Sequence, residues 1–351
     1  MIIINGDFFC RSLTGIERFA YETCKRLDNL ISKDEISIFI PNNAKIIPNF
    51  KNLKVIKSNK SCKIFPLWEH ITFSNFVKKQ KAIPLDFANV TPIFNPGIVF
   101  IHDIYAKIYP QDFKTLKEKL IRLYMCVMYH TAVKRAKKII TVSNFSKNQI
   151  SQSYKIPIEK ISVIYNGWDH FNNINSDLTI FEKFPNLKKN QYYFTLGSLQ
   201  KRKNLKWIFS YAKNNPNEIF AISGKVISGM ESSNLSELNK LNNVTLLGYL
   251  SDKEVKALME NCKAFIFPSY YEGFGIPPLE ALSCGAKIVI SNSASLPELY
   301  GDCAYYIDPF NSNIKIDELL KEKVQSPNLL LEKYTYYNAA KELYKLLTEI
   351  K

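Results

Sequence analysis

No stretch of the 351-residue sequence reaches the roughly 18 consecutive apolar residues needed to cross a bilayer. The first residues, MIIINGDFF, lack a basic segment followed by a long apolar core, so they read as a first strand and not as an export signal. There is no CxxC pair and no His-rich partner set. The seven cysteines are dispersed, which suggests the reduced thiols of a cytosolic protein, each a small buried hydrophobe. No DxD pair, no repeat of solenoid period and no low-complexity tract is present. What is present excludes wholesale disorder: 46% of residues are apolar and 23% charged, over a length that suits two domains.

Acidic residues are scarce in one half only. Residues 1–167 hold 26 Lys and Arg against 12 Asp and Glu, a net +14, while residues 168–351 hold 21 against 20. A basic half can serve nucleic acid, an anionic membrane or a phosphorylated ligand. A lysine-rich solvated surface satisfies the same numbers.

Short apolar runs alternate with helix-like stretches. The expected strands are Ile2–Ile4, Ile36–Ile40, Val99–Ile101 and Ile139–Val142, then Tyr192–Gly197, Ile219–Ser223, Val244–Leu247, Ala264–Pro268 and Ile288–Ser291. Runs without polar alternation fit strands buried on both faces of a parallel sheet. Ile16–Leu30, Asp252–Glu260 and Pro278–Ser283 read as helices. The pattern predicts an α/β chain of two doubly wound, Rossmann-like domains facing across a central cleft, with ligands beyond the carboxyl ends of the strands. The polar stretch NGWDHFNNINSD marks the seam. The expected domains are 1–170, 171–333 and a terminal amphipathic helix, 334–351, packed back on the first.

The chemistry concentrates in Phe265–Ser291, FIFPSYYEGFGIPPLEALSCGAKIVIS. A strand runs into a loop, and Ile276-Pro277-Pro278 then opens a helix, where proline's missing N–H costs nothing. Gly273, Phe274, Gly275 and Ile276 thus stand at a helix N-terminus, a place that binds phosphate readily, and the glycines let a ligand approach the backbone. Glu272 and Glu280 flank this site, one on each side of a bound pyrophosphate, as acceptors for sugar and ribose hydroxyls. An ordinary strand–turn–helix with solvated glutamates fits the same residues equally well.

The segment EGFGIPPLE, Glu272-x7-Glu280, resembles the motif of retaining glycosyltransferases of the GT-B fold, family 4, of the bacterial polysaccharide type, and the likeness continues through Ala281–Pro309. It implies a hexosyltransferase using a nucleotide-sugar. Gly197-Ser198-Leu-Gln-Lys-Arg202-Lys203 resembles the family's phosphate loop. By that resemblance Arg202 and Lys203 neutralise the leaving diphosphate, as fixed cations stabilise developing charge. Some relatives carry arginine where this chain has Ser198. Thr14-Gly15-Ile16 resembles the glycine loop that approaches the donor phosphate; many relatives have two glycines there. His102, followed by Asp103 at the end of a strand, corresponds to the residue that touches the transferred sugar. Asn166 and Gly167 line the cleft and hinge, Asp103 and Asn166 on the acceptor side.

The resemblance also implies no metal and no cofactor beyond the nucleotide-sugar substrate, with attack by the acceptor hydroxyl on the leaving-group face. ASLPEL, Ala294–Leu299, leans towards GDP-mannose as donor, with dTDP-rhamnose or a UDP-hexose as alternatives. The acceptor expected from the family is a saccharide on a lipid pyrophosphate, as in capsule or O-antigen synthesis. That places the protein in the cytoplasm, peripheral on the inner face of the plasma membrane. Phe113–Lys138, with Leu116, Leu120, Leu123 and Val127 among lysines, is either a peripheral membrane helix or a core helix with a basic outer face. The rival functions are an epimerase of the same fold and a basic nucleic-acid-binding protein; no nucleic-acid motif supports the latter.

Overall fold

The computed structural model describes residues 1–13, 15–197, 200–224 and 241–350. The chain forms two compact units. One comprises Met1–Gly167 and the segment from Tyr334 onward, the other Trp168–Lys333. The division falls three residues before the boundary expected from sequence.

The first unit is built on a seven-stranded parallel sheet: β1 (Ile2–Asn5), β2 (Ile36–Ile40), β3 (Lys54–Lys57), β4 (Ile83–Asp86), β5 (Ile98–Phe100), β6 (Lys138–Thr141) and β7 (Ile161–Val163), in the order β3-β2-β1-β4-β5-β6-β7. Every pairing is parallel, with Ile2 opposite Ile36 on one side of β1 and Ile83 on the other. β1 and β2 are wholly buried, which is why they read as unbroken apolar runs. Sequence reading missed β3, β4 and β7. β3 is bounded by lysines, β7 has three residues, and β4 contains Pro84 and Asp86, which argue against a central strand. The main helices here are α1 (Gly15–Leu27), α2 (Leu116–Arg135) and α3 (Asn144–Tyr154).

At the strand-order switch between β1 and β4, Asn5 Nδ2 donates to Glu69 Oε2 at 2.5 Å and to Asp86 Oδ1 at 3.1 Å, while Trp68 Nε1 donates to Asn5 Oδ1 at 2.8 Å. Burial first, then neighbouring carboxyls, pushes Glu69 well above the carboxylate range, and burial does the same to Asp86.

The second unit has a six-stranded parallel sheet: β8 (Tyr192–Leu196), β9 (Ile219–Ser223), β10 (Val244–Gly248), β11 (Ala264–Phe267), β12 (Ile288–Ser291) and β13 (Tyr305–Ile307), in the order β10-β9-β8-β11-β12-β13. The three-residue β13 was missed in the sequence. Helices α4 (Leu205–Asn214), α5 (Asp252–Asn261) and α6 (Ile276–Ser283) cover it. The switch point lies between β8 and β11, so the loops after those two strands open on one crevice.

The last helix, α7 (Tyr336–Ile350), completes the first unit. Its Tyr336, Ala339, Ala340, Leu343 and Leu347 join Ile2, Phe19, Cys24 and Leu27 in one buried cluster. Gly167 abuts the start of this segment. A Cβ there would stand 2.0 Å from the Tyr336 nitrogen, so only glycine fits.

Candidate functional site

The loop after β8 and the loop after β11 meet around one carboxylate. Glu272 is buried, and Lys203 Nζ donates to its Oε1 at 2.6 Å. Ser269 Oγ donates to the same oxygen at 2.7 Å, and Arg202 Nη1 lies 3.6 Å from Oε2. Burial alone would push the Glu272 carboxyl up. The charges of Lys203 and Arg202, with the hydrogen bonds from Lys203 and Ser269, outweigh it and hold the group below its ordinary value. A solvated glutamate is thereby excluded, and so is an exposed basic loop for Arg202 and Lys203, which are both half-buried.

Each partner is itself fixed. Lys203 stands over the Phe267 ring, 4.8 Å from its centroid. Asn204, in the left-handed region at φ 58°, donates from Nδ2 to Pro268 O at 3.0 Å and Pro309 O at 2.7 Å, and Tyr270 N donates to Arg202 O at 3.1 Å. The two loops are thus stitched to each other. A small concavity beside them is lined by Thr195, Gly197, Lys203, Ser223, Phe267 and Pro268. A Cβ at Gly197 would meet the Lys203 stem at 3.6 Å, an ordinary packing contact. Ser198 and Thr14 lie outside the described residues.

The turn from Gly273 to Ile276 leads into α6. Gly275 takes φ +88°, and a Cβ would meet Leu296 Cδ2 at 2.7 Å, so both backbone and space demand glycine. No side chain caps the helix, and Pro277 and Pro278 carry no N–H. The amide donors at this N-terminus are therefore confined to Gly273, Phe274, Gly275 and Ile276, with the positive end of the helix behind them. The turn is held from beneath. Ser295 Oγ donates to Glu272 O at 3.0 Å, Tyr300 Oη donates to Gly275 O, and Ser291 Oγ donates to Ser269 O. Sequence reading missed Ser269, Ser295 and Tyr300, because isolated hydroxyl residues carry no spacing signal.

Glu280, also buried, has a different partner: His170 Nε2 lies 3.2 Å from its Oε1. His170 was read as part of a polar seam, yet it and Phe171 are buried in the second unit.

The other expected site residues belong to the first unit. His102 follows β5 and is buried; its Nε2 lies 2.8 Å from Phe87 O, and its backbone N donates to Asn89 Oδ1 at 2.6 Å. Burial lowers its pKa to about 4, against smaller raising effects from the Phe87 carbonyl and Asp103. The ring is therefore neutral at pH 7, with Nε2–H donating to the carbonyl and Nδ1 remaining as acceptor. Asp103 Oδ1 accepts from Tyr105 N at 2.9 Å. Gly15 begins α1 at φ +46° and is exposed; Phe19 of that helix packs edge-on against the His102 ring at 5.3 Å. Asn166 is buried after β7, and its Oδ1 has no hydrogen-bond partner.

These features can be set beside known proteins. The family described as glycosyl transferases group 1 matches residues 176–341, and glycosyltransferase family 4 matches residues 93–170. The chain is 28% identical over 271 residues to the O-antigen chain mannosyltransferase RfbU of Salmonella typhimurium, covering 74% of this chain and 71% of that protein. It is 31% identical over 196 residues to O-antigen chain mannosyltransferase B of Escherichia coli, covering 53% and 51%. In structure it resembles sucrose-phosphate synthase from Thermosynechococcus elongatus, with a TM-score of 0.75 at 14% identity over 99% of this chain and 98% of the other. HepE from Anabaena, solved in complex with UDP and glucose, gives a TM-score of 0.74 at 16% identity over 99% of both chains.

Proposed function

Because the chain belongs to the glycosyl transferases group 1 and is a glycosyltransferase of the GT-B fold, we propose that it transfers mannose from GDP-mannose, with retention of configuration, to a lipid-linked saccharide during surface-polysaccharide synthesis. The observation that carries the reading is the buried Glu272 held by Lys203, Arg202 and Ser269 beside an uncapped helix N-terminus. Amides of Gly273–Ile276 receive the diphosphate, Glu272 orients the sugar hydroxyls, and Glu280 takes the ribose. As the bond from sugar to diphosphate breaks, negative charge grows on the phosphate oxygen. Lys203 and Arg202 stand ready to stabilise it, so this reading asks for no metal. The acceptor hydroxyl attacks on the same face and gives its proton to the departing phosphate. His102, neutral and in contact with the Phe87 carbonyl, offers a hydrogen-bonding nitrogen and not an acid. The mannosyl donor is supported by the two O-antigen chain mannosyltransferases among the relatives.

Thermal melting with a panel of GDP-, UDP- and dTDP-sugars tests the donor. GDP-mannose at about 100 times its Kd should add roughly 2.7 kcal/mol to the folded state by mass action. Larger stabilisation by a UDP- or dTDP-sugar would remove the mannosyl reading.

The lipid-linked acceptor implies a membrane surface, and α2 supports one. Among the described residues no helix is long and apolar enough to cross a membrane. The carboxyl-terminal half of α2 is a core helix, burying Met128, Tyr129, Ala132 and Val133. Its first half is not: Leu116, Leu120 and Leu123 are 76%, 59% and 59% exposed, and they lie with Val127 along one face. Lys114, Lys117 and Lys119 surround them, and a capping box of Thr115 and Glu118 secures the helix start. His70 Nε2 meets Tyr124 Oη of this helix at 3.1 Å, and Ile71, the next residue, is exposed. Co-sedimentation with phosphatidylglycerol vesicles should exceed that with neutral vesicles, and L120S/L123S should weaken it at least about tenfold, since each buried leucine contributes about 1.5–3 kcal/mol. Equal recovery with both lipids would dismiss the membrane role.

A further inference from the structure

The reading of the donor site leaves His170 unused, although this ring touches one of its two carboxylates. His170 sits in a short 3-10 turn, Asp169–Asn173, immediately after the division between the two units. Its turn is fixed within the second unit at three points. Trp168 Nε1 donates to Leu331 O at 2.9 Å, and Lys256 Nζ donates to Phe171 O at 3.0 Å and Ile174 O at 2.8 Å. The imidazole packs edge-on against Phe171, with ring centroids 4.8 Å apart. An imidazole held this way has little freedom to swing out of the contact.

The ring faces Glu280. Nε2 is 3.2 Å from Oε1, within ion-pair distance, though not aligned as a hydrogen bond. Such contacts in an unliganded site commonly tighten when the ligand arrives. The side chains differ in access: Glu280 keeps 11% of its surface exposed and His170 only 3%. The carboxylate is thus the more accessible of the two groups. An imidazole nitrogen this close to one carboxylate oxygen restricts the orientation of the group and leaves its other oxygen to the ligand.

We infer that His170 is a positioning residue that orients Glu280 towards a vicinal diol, making the site selective for ribonucleotide over 2′-deoxyribonucleotide donors. This rests on the reading of Glu280 as the acceptor of the ribose hydroxyls. It also disfavours dTDP-sugars, whose deoxyribose lacks one hydroxyl of the pair.

Calorimetric titration of GDP and 2′-deoxy-GDP, and of UDP and 2′-deoxy-UDP, into the full chain tests it. The wild type should bind the better ribonucleotide roughly tenfold to hundredfold more tightly than its deoxy form, the range for a hydrogen bond to a charged group. H170N, whose amide is too short to reach Oε1, should bring that ratio towards one through weaker ribonucleotide binding, with little change for the deoxy form. H170Q, whose amide can reach, should restore most of the ratio. Melting curves check folding. If H170N does not fold, H170F takes its place, keeping ring volume without the nitrogens. A folded variant that keeps the wild-type ratio, or weakens both ligands equally, overturns the role of His170 alone, provided E280Q abolishes the ratio. A wild-type ratio near one, unchanged in E280Q, overturns the ribose reading of Glu280 itself.

Discussion

Glu272→Gln is expected to lower turnover about a hundredfold or more while leaving nucleotide affinity within a few-fold of wild type. The substitution keeps size and shape but removes the charge on which Lys203 and Arg202 converge. In the proposed reaction Glu272 matters where the sugar carries positive character and the two cations must turn to the diphosphate. Losses of preorganised electrostatic partners of this kind typically cost about 100- to 1,000-fold in turnover. In that reading the nucleotide itself is held elsewhere, by the amides of Gly273–Ile276 and by Glu280. Steady-state kinetics with GDP-mannose and calorimetry with GDP measure the two separately. Turnover near wild type would refute the assignment.

The same variant has a pH signature. Glu272 titrates below its ordinary value in the folded protein. A group with a depressed folded pKa contributes stability that is present above the unfolded value and lost as pH falls through the folded one. The melting-temperature gap between wild type and E272Q should therefore be widest near pH 7 and narrow below about pH 4, close to the unfolded carboxylate value. A gap that stays constant down to acid pH would mean that Lys203 and Arg202 do not stabilise this carboxylate.

Lys203→Ala should be the more damaging change for kcat/KM, by about 100- to 1,000-fold, because it removes a cation from the diphosphate and unpairs a buried acid at once. Glu272 would retain Ser269 at 2.7 Å and Arg202 at 3.6 Å, too little to offset its burial. Its pKa rises in consequence, and stability falls with activity. K203Q/E272Q separates the two losses. With both charges gone, no buried carboxylate short of partners is left in the site, so melting temperature should recover part of the way towards wild type while activity stays low. Recovery of both together would mean that the pair only holds the loops. A K203A protein within threefold of wild-type kcat/KM would remove Lys203 from the reaction.

Much of this architecture was legible because its strands are buried on both faces. β1, β2, β11 and β12 read as unbroken apolar runs, and the structure shows each fully buried. β4 did not, because it has four residues and carries Pro84 and Asp86, both poor strand formers. The Glu272–Glu280 segment stood out because glycine, proline and glutamate occupy consecutive positions of one turn. What fixes that turn was not legible. Ser269, Ser295, Tyr300 and Asn204 act across 3 to 105 positions of sequence, and such pairings exist only once the strands are stacked. His170 was hidden for a related reason. Its asparagine-rich neighbours mark a linker, and burial of a single ring within such a stretch depends on a helix more than a hundred residues later. The exposed leucines of α2 show the opposite limit: periodicity revealed the stripe and could not say which end the core would cover.

The return of α7 to the first unit also sets an order of assembly during synthesis. The residues that close the core around Ile2, Phe19 and Leu27 are Tyr336 to Leu347, which follow the whole second unit in the chain. Trp168–Lys333, by contrast, has its whole sheet available once Lys333 has emerged. Of the two units, the one whose strands are translated first is thus completed second, and until α7 emerges its α1 face waits uncovered. Chains cut short before α7 should accumulate with a finished second unit and an open first one, the kind of species that chaperones and proteases select.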